Sequence, residues 1–224
     1  MVPAWLSVLS WVSLGLAFVS AGIILVDLLR FPQKMPIMNW VWPITALYAG
    51  PLDLCAYYRL GRSSAQNGRE GAEPAQKPFW AKVAVDGMHC GSGCTLGDII
   101  AEFTIFSAGL SAAGSVLGAE FIGDYFLAYG LGVVFQFFSI APMRGLAFWP
   151  GIWAAIKADT LSLTAFEIGL FAWMALMYHV LFQPHLKPDQ PTYWLMMQIG
   201  MLIGFATAYP MNWWLIRRGI KEAM

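Results

Sequence analysis

The chain has 224 residues, of which 58% are hydrophobic and only 12% are charged. A soluble domain has about 45–50% apolar and about 25% charged residues, so this composition excludes an ordinary soluble globule and a disordered chain. Thirteen Lys and Arg residues balance thirteen Asp and Glu residues, so no net positive field favours binding to nucleic acid. We therefore expect residues 1–224 to form one integral membrane domain, with the lipid bilayer as its surroundings.

Six apolar segments are long enough, or nearly so, to cross a bilayer as helices. A spanning helix needs about 20 residues because the hydrocarbon core is ~30 Å thick and a helix rises ~1.5 Å per residue. The fold class predicted from this pattern is an all-α bundle of six transmembrane helices. The segments are Ala4–Val26, Met38–Tyr58, Ile99–Leu117, Phe121–Ala141, Leu161–Phe182 and Tyr193–Ile216.

The residues that connect or interrupt these segments predict further local structure. Gly118–Glu120 alone separates the third and fourth segments, which predicts a tight hairpin. Residues 59–82 are rich in Gly, Ser, Gln and charge, and we interpret them as a flexible cytoplasmic loop. Trp149–Lys157 is interpreted as a short interfacial helix. Pro43 and Pro51 predict kinks in the second segment.

The basic residues predict the orientation, because cytoplasmic loops of membrane proteins carry an excess of Lys and Arg. With six spans, ten of the thirteen basic residues fall on the side of both termini, and only Arg30, Lys34 and Lys187 fall on the other. Both termini are therefore expected in the cytoplasm. The predicted location is the inner membrane of a bacterial cell.

One segment combines side chains that bind metals. His89, Cys90 and Cys94 lie within six residues, and Asp98 follows four residues after Cys94. Thiolate and imidazole are preferred ligands of copper and zinc. The sequence therefore predicts a copper or zinc site at the cytoplasmic face, with Cys55 or Asp98 as a further ligand. Its role would be transport, loading or sensing of the metal.

The same residues allow other interpretations. Cys90 and Cys94 are one helical turn apart, just within disulfide reach, so a membrane thiol–disulfide oxidoreductase is the first alternative. Free cysteines and glycines also serve simply as small residues in helix packing. The chain would then be a non-catalytic subunit of a larger membrane complex or a homo-oligomer.

Two acidic residues fall inside predicted spans. Glu102 lies in the third segment and Glu167 in the fifth, each expected within about two turns of the cytoplasmic face. Acids in a membrane usually face the bundle interior or a wet cavity, because a charge exposed to lipid is costly. We interpret Glu102 and Glu167 as an ion or proton path; hydrogen bonding to polar residues on neighbouring helices is the alternative.

Three stretches resemble an uncharacterised family of bacterial multi-span membrane proteins, classed as a domain of unknown function. The first is Met88–Asp98 (MHCGSGCTLGD) together with Glu102, and the second is Tyr209–Glu222 (YPMNWWLIRRGIKE). Trp42–Leu52 (WPITALYAGPL) is similar as well. The resemblance implies a bacterial membrane location and carries no established activity.

Overall fold

The computed structural model describes residues 2–62 and 77–221. Within these ranges the chain is helical. Seven α-helices follow one another, and the third and sixth continue into the π-helical turns Tyr57–Gly61 and Met177–Leu181. The α-helices are α1 (Ala4–Arg30), α2 (Met38–Ala49), α3 (Pro51–Ala56), α4 (Phe79–Ala108), α5 (Val116–Arg144), α6 (Phe148–Leu176) and α7 (Pro191–Arg217).

Helices α4 to α7 form a four-helix bundle. Each packs against the next along the chain, and α7 closes the ring by packing against α4. Because the connections between them are short, consecutive helices run antiparallel. Helices α1 and α2 lie against the side of this bundle that α4 and α7 form. Helix α4 is therefore surrounded by α2, α5, α6 and α7.

The helices expose apolar side chains and bury many polar ones, which is the reverse of a soluble protein. Trp5, Phe18 and Phe126 are each about two-thirds exposed, whereas Asp98, Glu102 and other acids are fully buried. Four helical stretches are long and apolar enough to cross a membrane, namely Ala4–Arg30, Val116–Arg144, Phe148–Leu181 and Pro191–Arg217. The all-helical prediction and the membrane-compatible composition are thus confirmed.

The second predicted segment is broken. Helix α2 ends at Ala49, Gly50 adopts a φ of 54°, and α3 begins at Pro51. A positive φ is easily reached only by glycine, and proline is well suited to the first position of a helix. Pro43, in contrast, lies inside α2. The predicted interruption is therefore found at Gly50–Pro51.

The boundaries predicted for the third segment, Ile99–Leu117, were wrong. Helix α4 begins at Phe79 and ends at Ala108, where Gly109 takes a left-handed conformation. Residues 109–115 form the connection to α5, so the expected turn at Gly118–Glu120 is helical instead. The polar segment before Ile99 is helical because its polar side chains face neighbouring helices rather than lipid.

Two other local predictions need correction. Trp149–Lys157 is no separate interfacial helix, since it forms the first turns of α6. Of the predicted flexible loop at 59–82, residues 63–76 lie outside the described residues. At its edges, Arg59 belongs to a π-helical turn and Phe79 to Lys82 belong to α4.

Glycines bring α4 and α5 into backbone contact. A Cβ atom added to Gly93 would lie 2.8 Å from the Cα of Gly132, and one added to Gly97 would overlap the backbone of Ala128. Small residues permit such close approach of membrane helices. Gly93 and Gly97 are therefore positions of close helix packing.

Candidate functional site

Five polar or thiol side chains follow α4 at intervals of four residues. They are Asp86, Cys90, Cys94, Asp98 and Glu102, and each is at most 1% exposed. Sixteen residues separate the first from the last, which corresponds to about 24 Å along the helix. We call this set the α4 row. It lies in the middle of a 30-residue helix, not at the helix end where the sequence placed it.

The α4 row winds around its helix, because four residues advance an α-helix by about 400°. Its members therefore meet different neighbours. Asp86 meets the segment after α7, the two cysteines meet α6, and Glu102 meets α5 and α7. All remain buried because helices surround α4 on every one of these sides.

At one end of the row, a lysine enters the bundle. The Nζ atom of Lys221 lies 2.9 Å from Oδ2 of Asp86 and 3.8 Å from Oδ1 of Asp159, and the three side chains are at most 1% exposed. It also donates a hydrogen bond of 3.1 Å to Oδ1 of Asn212. Burial lowers the pKa of Lys221, but Asp86 and Asp159 outweigh that effect and hold its pKa above the usual value.

In the middle of the row, the two thiols lie beside each other. Cys90 also neighbours Asp159 and Ser162, whereas Cys94 neighbours Glu167 and Asp98. Both cysteines are free thiols. The thiol pair is therefore flanked by carboxyl groups from α4 and α6.

At the other end, acids from two helices meet. Glu102 lies beside Glu120 and Asp124 of α5, and Tyr193 of α7 lies beside all three. Glu102 therefore lies near the end of α4 that is opposite Lys221, because α4 starts 20 residues before the predicted span. The expectation that it would share an end with the basic loops was wrong.

Several carboxyl groups of this polar interior have no hydrogen-bond partner of regular geometry within 2–62 and 77–221. This holds for both oxygens of Asp98, Glu102, Asp124 and Glu167, and for the hydroxyl of Tyr193. Buried polar groups normally have partners, and leaving them unpaired is costly. Such groups point to protons, water or a cation within the bundle.

Two of the predicted ligands lie apart from the thiol pair. His89 is buried on another side of α4, where its ring centroid is 6.1 Å from that of Phe135 and it neighbours Gln136. Cys55 is exposed on α3. Among the described residues, no three His, Cys, Asp or Glu side chains are grouped so that they could hold a metal ion.

Several members of the polar interior were not singled out from the sequence. Glu120 and Asp124 are four residues apart in an apolar segment, and Asp86 extends the four-residue spacing backwards from Cys90. That spacing is a signal that could have revealed them. Lys221 carried no such signal, since its partners are 135 and 62 residues away in the sequence.

These features define a helical protein with membrane-compatible helices and a buried polar interior. The chain belongs to the family of a domain of unknown function, DUF4396, whose model matches residues 79–221. The match begins at the first residue of α4 and ends at Lys221, so it contains the entire four-helix bundle and the α4 row. No curated protein and no solved structure matches the chain.

Proposed function

We propose that this protein is a multi-span inner-membrane protein that handles copper or zinc, by transport, loading or sensing. The observation that carries the proposal is the Cys90–Cys94 thiol pair, buried in the bundle and flanked by the carboxyl groups of Asp98, Asp159 and Glu167. Thiolates are soft ligands that select copper(I) and zinc. The proposal includes a path for the ion or for protons through Glu102 and Glu167.

The topology we propose places six apolar segments in the membrane. Helices α1, α4, α5, α6 and α7 each cross once, and α2 with α3 forms the second segment. The distribution of basic residues then supports a cytoplasmic C-terminus. In this arrangement Asp86 and Lys221 lie toward the cytoplasm, and Glu102 and Glu120 lie toward the opposite side.

The number of ligands favours copper(I) over zinc. A structural zinc site normally has four ligands in a tetrahedron, whereas copper(I) is satisfied by two thiolates. The two sulfur atoms come from one helix face, and the carboxyl groups of Asp98, Asp159 and Glu167 lie beside them as candidate oxygen ligands. His89 and Cys55 would join the site only after a larger rearrangement, so we assign them no ligand role in the resting bundle.

Metal analysis of the purified protein tests this proposal, because the chain offers a matched control. The protein is reconstituted in nanodiscs with copper(I) or zinc under anaerobic conditions, desalted, and analysed by mass spectrometry of the metals. We expect bound copper in the wild type and in Cys55→Ser, and its loss in Cys90→Ser/Cys94→Ser. Equal metal content in the wild type, Cys55→Ser and Cys90→Ser/Cys94→Ser would contradict the proposal.

The adjacency of Cys90 and Cys94 also favours a second candidate, a membrane thiol–disulfide oxidoreductase. Such an enzyme would oxidise two thiols to one disulfide and pass two electrons and two protons to a lipid-soluble quinone. Thiol counting separates the two candidates. If the number of free thiols per protein falls from three to one when a quinone is added and returns to three on reduction, in protein without bound metal, the result would favour the enzyme.

A further inference from the structure

The second apolar segment consists of two short helical limbs. The first limb is α2, which has 12 residues, and the second is α3 with its π-helical turn, which together run from Pro51 to Gly61. At ~1.5 Å per residue each limb is about 16–18 Å long, little more than half of the ~30 Å hydrocarbon core. Neither limb can cross a bilayer by itself.

Contacts between the two limbs show that they lie side by side. A Cβ atom added to Gly61 would be 2.7 Å from Cε2 of Trp42, and the ring centroids of Trp42 and Tyr57 are 5.6 Å apart. In one continuous helix, Trp42 and Gly61 would be about 28 Å apart along the axis. Gly50, whose φ of 54° separates the limbs, is therefore the tip of a helical hairpin.

Contacts with α1 give the depth of this hairpin. A Cβ atom added to Gly50 would be 3.9 Å from the Cα of Ala17, the central residue of α1. The second limb instead finishes beside the end of α1, where Tyr57 donates a hydrogen bond of 2.8 Å to Oδ2 of Asp27 and Nε of Arg62 lies 3.1 Å from the same oxygen. Because α2 begins just after α1 ends, the hairpin enters and leaves at one end of the bundle.

The start of α4 and the end of α5 lie at that same end. Ser139 of α5 donates a hydrogen bond of 3.3 Å to Sδ of Met35, and Met35 borders a cavity together with Lys77, which precedes α4. The first turns of α1 lie at the opposite end, where Ser10 donates a hydrogen bond of 3.3 Å to Thr192 at the start of α7. The beginning of α1 and the end of α7 are therefore at opposite ends of the bundle.

We propose that α2 and α3 form a re-entrant hairpin, which enters the membrane from the cytoplasmic side and returns to that side. The chain then has five spans, namely α1, α4, α5, α6 and α7, with the N-terminus outside the cytoplasm and the C-terminus inside it. The hairpin replaces the second of the six crossings predicted from the sequence, and the predicted cytoplasmic N-terminus moves to the other side. This topology does not depend on the metal function.

The basic residues fit five spans better than six. Arg30 and Lys34 join the ten basic residues that the six-span prediction places in the cytoplasm, so twelve of the thirteen lie there and only Lys187 lies outside. Cytoplasmic loops carry an excess of Lys and Arg, and this excess is larger than ten against three. A break in a helix at membrane depth is tolerated where protein covers it, and Gly50 is buried.

The hairpin also brings a phenol to the thiol pair. Tyr48, two residues before the tip, is 5% exposed, and its hydroxyl oxygen is 2.9 Å from the position that a Cβ atom on Gly91 would take. Cys90 and Cys94 are among the neighbours of Tyr48. In the proposed topology, a segment that enters from the cytoplasm therefore forms one wall of the thiol site.

Labelling of single cysteines in spheroplasts of a bacterial host tests the topology. A membrane-impermeant maleimide is added before or after lysis to variants in a Cys55→Ser background, in which the two remaining native thiols are buried. The variants place a cysteine at four exposed positions: Pro3→Cys, Lys34→Cys, Lys187→Cys and Arg218→Cys.

Two of these variants distinguish the topologies, and two are controls. We expect Pro3→Cys to react in intact spheroplasts and Lys34→Cys to react only after lysis. Lys187→Cys should react before lysis and Arg218→Cys only after it, whether the chain has five spans or six. Reaction of Lys34→Cys before lysis, or protection of Pro3→Cys until lysis, would overturn the proposal.

A double-mutant cycle tests the hairpin itself. Gly61→Ala should lower the midpoint of thermal unfolding in nanodiscs, because the added Cβ overlaps the ring of Trp42. In a chain that carries Trp42→Phe, which has a smaller ring, Gly61→Ala should lower the midpoint less. Gly22→Ala on α1, where a Cβ atom meets nothing within 4 Å, is the control. An equal effect of Gly61→Ala in both backgrounds would refute the contact between the limbs.

Discussion

The Nζ atom of Lys221 lies 2.9 Å from Oδ2 of Asp86, and neither side chain is exposed. This contact joins the segment after α7 to the first turns of α4. Asp159 of α6 and Asn212 of α7 complete the surroundings of the ammonium group. One cation therefore holds three of the four bundle helices together at this end.

Removal of this cation should destabilise the protein strongly. Lys221→Met leaves Asp86 and Asp159 buried without a counter-charge, and breaking a buried ion pair in this way costs about 3–5 kcal/mol. Thermal unfolding in nanodiscs measures the effect, with Lys187→Met as the control because Lys187 is exposed.

The triple variant Lys221→Met/Asp86→Asn/Asp159→Asn distinguishes charge from packing. Because it removes all three charges together, it should recover much of the lost stability. A triple variant as unstable as Lys221→Met would show that the contact acts through shape and not through charge.

The contact between α4 and α5 should not tolerate a side chain at Gly97. The added Cβ of Gly97→Ala would overlap the backbone of Ala128, which cannot move aside as a flexible side chain can. We expect a loss of about 1–3 kcal/mol from overpacking. The midpoint of thermal unfolding reports this loss.

Gly130→Ala is the matched control on α5. A Cβ atom at Gly130 meets nothing within 4 Å, and alanine favours a helix more than glycine does. This variant should be as stable as the wild type or more stable. If both variants unfolded at the wild-type temperature, the close approach of the two helices would be refuted.

The three cysteines should differ in reactivity. Cys55 is exposed, whereas Cys90 and Cys94 are buried among α4 and α6. Brief treatment with N-ethylmaleimide should modify Cys55 first, and all three should react after denaturation. Mass spectrometry of the digested protein measures the modification at each position. Early labelling of Cys90 or Cys94 would contradict the burial of the pair.

If Glu102 belongs to a conduction path, its substitution should slow movement of the ion without removing the thiol site. We expect Glu102→Gln to lower copper(I) flux into chelator-loaded proteoliposomes about tenfold, the factor that corresponds to about 1.4 kcal/mol. The bound copper per protein should stay at the wild-type value. Asp189→Asn, at an exposed position before α7, is the control, and wild-type flux in Glu102→Gln would exclude the path.

The length of the apolar segments predicted most of the helices, because a helix that crosses the hydrocarbon core needs about 20 mainly apolar residues. Helices α1, α5 and α7 begin and end within five residues of the predicted segments. Helix α4 was misplaced since its first 20 residues include Lys82, Asp86 and five glycines or serines, a composition that resembles a loop. In the bundle those residues face other helices, so the rule for lipid-exposed helices does not apply to them.

The candidate site was predicted in part. The four-residue spacing of Cys90, Cys94, Asp98 and Glu102 correctly indicated residues on a helix, and the structure buries them all. His89 was expected to lie with the two thiols around one metal ion, but it is on another side of α4. A one-residue offset on a helix turns its side chain by about 100° away from that of Cys90. The partners from other helices, Asp124, Asp159 and Lys221, depend on tertiary packing that spacing along one helix does not reveal.

The position of Lys221 in the chain has a consequence for biosynthesis. The ribosome makes Asp86 and Asp159 before it makes the lysine that neutralises them, because Lys221 follows all of α4 to α7. During synthesis both acids therefore lack this counter-ion until the chain beyond α7 has been made. The contact that joins α4, α6 and the segment after α7 can therefore close only once translation has passed α7.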